Sequence, residues 1–284
     1  MNITLKNKSL SVEISTLGAE MQAVTLGKKE YLWNGDPKFW TGRAPVMFPI
    51  CGGLMNDVFF YEGKQYTLGK HGYAKLSEFE VEKKEEARAT FLLKSTEQSK
   101  TQFPFDYEFR ITYTLNEDAI TVGYNIKNLT DGKMYFSVGS HEAYACPEGI
   151  EEYSVIFDEE ETIGSYILDG NLLEYNQIPI LNREKELKLN YKYFAIDALC
   201  FKDVKSRGAT LVHKKNGKKA RVEFPGADYL FIWTKPNAPY ICIEPWCGIP
   251  DSIDSTKDLT KKEGINKLEK GETFERIHTI TLFE

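Results

Sequence analysis

Two short stretches place a group able to move protons among apolar or small neighbours. In SVGSHEAYACP, residues 137–147, His141 follows Val-Gly-Ser, an apolar strand that ends in small residues. In PYICIEPWCGIPDS, residues 239–252, Glu244 sits inside an apolar run beside Trp246. Histidine gives or takes a proton near neutrality because its unperturbed pKa is about 6.5. A desolvated carboxylate is raised toward that range unless a partner offsets the cost. The pair therefore has the chemistry of general acid–base catalysis. Each residue also has a structural reading: His141 as a half-buried core histidine at a strand end, and Glu244 as an outward-pointing acid on an edge strand whose pairing stops at Pro245. From these residues alone both readings are open.

Three further residues have binding chemistry. His71 lies in LGKHGYAK between Gly69 and Gly72, where backbone can approach a ligand closely, although a turn histidine looks the same. Asp197 in FAIDALCF is a second carboxylate set in an apolar strand, and Arg43 in WTGRAPVMFP offers a hydrogen-bonding fork next to aromatics. Sugars are held by such mixtures, with charged planar groups on the hydroxyls and aromatic rings against the apolar ring face.

The elements that must position these residues are strands. In the segment 105–115, Phe, Tyr, Phe, Ile, Tyr and Leu alternate with Asp, Glu, Arg, Thr and Thr, a period of two that predicts a strand with one buried face. Ile120, Val122, Tyr124 and Ile126 repeat the alternation after the turn-like Asn-Glu-Asp, so the two runs are predicted to pair as an antiparallel hairpin. Similar runs recur in SLSVEIS, ARATFLLKST, EYSVIFD, GATLVHK, ARVEFPG, YLFIWTK, YICIEPW and RIHTITLF, separated by turn residues. Only GDPKFW and DSTKDLTKKEGI read as short helices, and the charged run 80–89 reads as a solvated strand or hairpin rim. The expectation is an all-β chain, a large antiparallel β-sandwich with a few short helices. No repeat, low-complexity segment or linker divides residues 1–284, which predicts a single domain.

Composition narrows the partners. The 284 residues include 16 Tyr, 17 Phe and 4 Trp, a bias toward β structure, and a net charge of −6 with dispersed Lys and Arg gives no footprint for nucleic acid. The first residues lack a signal peptide's apolar stretch, and no apolar run reaches the roughly 18 residues of a membrane-spanning helix, so no membrane partner and a cytoplasmic location are expected. Five cysteines, an odd number in apolar company, predict reduced buried thiols. The four histidines lie far apart without metal-ligand spacing, so no metal site is expected, although one assembled in space stays open. No Gly-rich dinucleotide motif or phosphate-binding loop occurs, and no cofactor is expected.

The order YLWNGDPKFWTGRAPVMFPICGGL, YTLGKHGYAK, VGSHEAYACP, AIDALCF, YICIEPWCGIPDS and LEKGETFE resembles the aldose 1-epimerase (galactose mutarotase-like) family, and within it the LacX-type branch. The resemblance spans nearly the whole chain and rests on several motifs in the right order. It implies the family's large twisted antiparallel β-sandwich and an isomerase that interconverts the α and β anomers of an aldose without metal or redox cofactor. Carried over position by position, it implies His141 as general acid, Glu244 as general base, and Arg43, His71 and Asp197 as sugar-contacting residues. Lys75 stands where the family usually has Arg, Gly53 where this branch often has a basic residue, and GRAPVMFP lacks the Asn-Arg of the classical galactose mutarotases. The alternatives are a hexose-6-phosphate 1-epimerase and a carbohydrate-binding protein without turnover; retention of both His141 and Glu244 argues for catalysis. The expected partner is a small sugar, and the chain is expected to be a monomer or homodimer.

Overall fold

The computed structural model describes all residues 1–284. The hairpin predicted from alternation is present as Tyr107–Asn116 paired with Ala119–Asn128, and the first strand buries every second side chain, as a pleated strand with one face on a core must. This hairpin belongs to a 14-stranded antiparallel sheet; a four-stranded antiparallel sheet is built from the first thirty residues, and two small two-stranded sheets complete the chain. Between the sheets lies a continuous core of 64 buried residues, dense in Phe and Tyr. Burying such large side chains supplies the main driving force for closing the sheets on one another.

The part of the large sheet that matters for chemistry is its run of strands around Tyr240–Cys247. This strand is buried at all eight positions and has partners on both sides: Tyr229–Trp233 on one, and the short strands Val138–Gly139 and Ala143–Ala145 on the other. All pairings are antiparallel, with Gly139 opposite Trp246 and Ala143 opposite Cys242. The same register on both sides of the gap sets His141 directly across from Glu244. Pro245 has no N–H to give to a ladder, and the neighbouring strand is interrupted at residues 140–142. Alternation then sends Cys242, Glu244 and Trp246 to one face and Ile241, Ile243 and Cys247 to the core.

Three sequence-based expectations differ from the structure. GDPKFW forms a turn rather than a helix, and DSTKDLTKKEGI contains only one 3-10 turn, Leu259–Lys261. Asp197 lies in a bend just before the strand Leu199–Lys202 rather than within it. Of the longest elements, Tyr153–Asp169 was foreseen only at its first few residues and Leu172–Lys188 not at all. Much of this hairpin is solvent-exposed and its register is broken by bulges, so it lacks the alternation that betrays a half-buried strand.

Candidate active site

The concave face carrying Glu244 opens into a cavity of about 580 Å³. Its back wall follows from the register: Phe231 and Trp233 lie on the strand beside Glu244, and His141 faces Glu244 from the other side. Trp246 stacks on Phe231 with ring centroids 3.7 Å apart. Gly139 leaves room for that ring, since a Cβ there would come within 2.9 Å of Trp246 and 2.9 Å of Met47. The small residues of VGSHEA are thus what allows His141 and Trp246 to share one wall. Trp40 completes it, with its ring centroid 4.9 Å from that of His141, and Trp233 stands edge-on to the same imidazole at 5.4 Å.

His141 Nε2 lies 3.5 Å from Glu244 Oε2, and the residues are 8% and 1% exposed. Both are therefore held out of bulk water while opening onto the cavity. Burial pushes the Glu244 carboxyl well above the ordinary carboxylate range, and the nearby Glu142 adds to this. Burial also pushes the His141 imidazole down, to about 3. The dry wall favours the neutral form of each. Glu244 Oε2 and His141 Nδ1 have no hydrogen-bond partner. The edge-strand reading of Glu244 is excluded, because its strand is paired on both sides and the side chain points into the cavity.

His71 reaches the cavity from a turn in which it and Gly72 both take positive φ, 68° and 67°. A Cβ at position 72 would lie 2.3 Å from the Phe48 carbonyl oxygen, so this tight turn requires glycine. The Gly52 N–H donates to His71 Nδ1 at 3.1 Å. Nδ1 is therefore the acceptor and the ring proton sits on Nε2, available to donate. Burial and the neighbouring His141 push His71 well below the ordinary histidine range, which keeps it neutral. Asp197 lines the rim, held by the Ala198 N–H at 2.8 Å and facing Lys70 Nζ at 3.8 Å.

The fold brings together four of the five sequence-predicted residues: His71, His141, Asp197 and Glu244 all line the cavity. Arg43 does not. Its guanidinium donates to the carbonyl of Gln22 and packs over Gly35, tying the loop 35–43 to the strand Met21–Leu26. Sequence reasoning missed Trp40, Trp233, Lys70 and Asn171, which also line the cavity. For Trp233 the signal was present, since it shares the alternating face of YLFIWTK with Phe231. It also missed the fate of Glu142, which points away from the cavity and pairs with His278 Nε2 at 2.9 Å within the core. His141, far in sequence from Cys242 and Glu244, joins them with donor atoms all within 4.8 Å of one another, an arrangement assembled in space that residue spacing could not show.

A family model described as aldose 1-epimerase matches residues 1–276. Among curated proteins the chain is 34% identical to the plasmid-encoded protein LacX of Lactococcus lactis subsp. lactis, over 99% of each chain. The chromosomal LacX of the same organism matches equally, at 34% and 99% of each chain. Among solved structures it is similar to a galactose mutarotase related enzyme from Lactobacillus acidophilus, at 33% identity and a TM-score of 0.94, covering 100% of this chain and 98% of that one. A galactose mutarotase-like protein from Lactobacillus casei ATCC 334 also has a TM-score of 0.94, at 25% identity and full coverage of both chains.

Proposed function

The chain belongs to the aldose 1-epimerase family, and from that premise we propose that His141 and Glu244 carry out the proton transfers of its mutarotase reaction on a free hexose. The observation that carries this reading is the placement of the two side chains 3.5 Å apart, across one register position, on the wall of an aromatic-lined cavity. Glu244 as carboxylate takes the proton of the anomeric hydroxyl. The C1–O5 bond breaks as C1 becomes a carbonyl carbon, and the ring oxygen receives a proton from protonated His141. After rotation about C1–C2 the same steps run backward on the other face of the carbonyl. The form with proton on His141 and none on Glu244 has the same net charge as the neutral pair, so a transfer within the pair readies it without uptake of protons from solvent. His71, donating through Nε2, and Asp197, accepting at the rim, hold hydroxyls. Trp40 and Trp233 cover the apolar face of the sugar ring.

Lys70 and Lys75 at the same cavity favour a second reading, a hexose 6-phosphate as substrate, with the two ammonium groups holding the phosphate. Polarimetry or NMR anomer exchange across a panel of free and phosphorylated hexoses distinguishes them: the first reading expects acceleration with a free hexose, the second only with its phosphate ester. No acceleration with any sugar would leave a binding protein. A cytoplasmic location is part of the proposal; the five cysteines are buried and unpaired, which suits a reducing compartment. No helix is long and apolar enough to cross a membrane.

A further inference from the structure

We propose that His141, Cys242 and Glu244 form a binding site for a thiophilic divalent cation, with Zn²⁺ as its type, and that the ion shuts off the reaction by occupying the acid–base pair. Cys242 and Glu244 lie two apart on one face of the strand Tyr240–Cys247, and His141 lies across from Glu244 in the gap between the short strands Val138–Gly139 and Ala143–Ala145. Their donor atoms lie within 4.8 Å of one another. Zinc needs sulfur at about 2.3 Å and nitrogen or oxygen at about 2.0–2.2 Å, so small side-chain shifts bring three donors into range. Nitrogen, sulfur and oxygen in one set suit zinc, whereas calcium and magnesium need six or more oxygen ligands.

A second observation points to a ligand here. Glu244 is 1% exposed, yet its Oε2 has no hydrogen-bond partner and faces this cluster. An orphaned buried oxygen is costly, and a cation would satisfy it. His141 and Glu244 line the open cavity and Cys242 is fully buried behind them, so an ion held by the three has its fourth position on the cavity side, free for water as in three-ligand zinc sites. The ion takes up the carboxylate and the imidazole that the reaction needs, so this part of the inference rests on the acid–base reading above. Binding itself does not.

The test titrates purified full-length protein, cleared of metal, with zinc chloride against a chromophoric chelator. The expected result is one ion per chain, with affinity weakened about tenfold or more in Cys242→Ser, since loss of a ligand costs no less than loss of an outer-shell partner. Cys146→Ser, a buried thiol outside the cluster, should bind as the wild type does. Because serine at position 242 risks misfolding, cobalt(II) loading of the wild type gives a readout without a variant: a near-ultraviolet thiolate-to-metal charge-transfer band is expected. No stoichiometric zinc binding, equal affinity in Cys242→Ser, or bound cobalt without that band would each overturn the site. Mutarotation is then assayed with and without zinc, each variant against its own zinc-free rate. Inhibition that EDTA reverses, and that weakens in Cys242→Ser, supports the whole inference. Cys242-dependent binding with undiminished turnover supports the site but overturns the acid–base role of the pair.

Discussion

At His141 and Glu244 the proposed chemistry needs one proton donor and one acceptor at once. Glu244→Gln keeps the shape of the side chain and removes the base, and His141→Asn removes the acid. Each should lower kcat by ~10²–10⁴-fold with little change in KM, the usual range for a positioned acid or base. Near-normal turnover in Glu244→Gln would make Glu244 a structural carboxylate. Asp197→Asn should behave differently, raising KM by about tenfold or more through loss of a charged hydrogen bond while leaving kcat nearly intact. The pH dependence follows from the directions of the two shifts. The active pair holds one proton in total: protonating both groups, with His141 pushed down to about 3, removes the base, and ionising the raised Glu244 carboxyl removes the acid. Turnover should therefore fall on both the acid and the alkaline side of a maximum. A single step in kcat near the ordinary histidine value of about 6.5 would contradict a shared proton.

Among the elements, the strand Tyr240–Cys247 and the interrupted strand opposite it decide the geometry. Their register puts Glu244 and His141 face to face, and Gly139 lets Trp246 lie flat on Phe231. Gly139→Ala drives a methyl group against Trp246, Met47 and Cys51, all at about 3 Å. Overpacking of this kind costs ~1–3 kcal/mol, so thermal or urea unfolding should show a loss of that order, together with reduced activity from a displaced Trp246. Full activity at wild-type stability would mean that the wall is more yielding than its contacts imply. Arg43 belongs to this scale rather than to the site: it fastens one loop to the amino-terminal sheet.

For the whole molecule, we read residues 1–284 as one domain with a shared core, so calorimetry and circular dichroism should report a single coincident unfolding transition. Two separated transitions would divide the chain. Proton transfer alone suffices for anomer exchange, and activity is expected to survive exhaustive dialysis against EDTA; loss that returned on adding a divalent ion would require a metal in the reaction itself.

The sequence by itself determined the strand character of the chain, because alternation at 105–126 and in the shorter runs reports directly which side chains meet the core. It also marked His141, Glu244, His71 and Asp197, because a titratable group among apolar or glycine neighbours is costly without a purpose. Exposure hid the strand Leu172–Lys188, most of whose side chains face solvent, and bulges broke the alternation of its partner Tyr153–Asp169 beyond the first residues. Only the tertiary structure decided which residues meet. Pairing register, set by contacts a hundred residues apart in sequence, brought Glu244 to His141 and Cys242 to both, turned Glu142 inward to His278, and left Arg43 outside the cavity. Local pattern tells which face a side chain occupies, and register between distant strands tells what it faces.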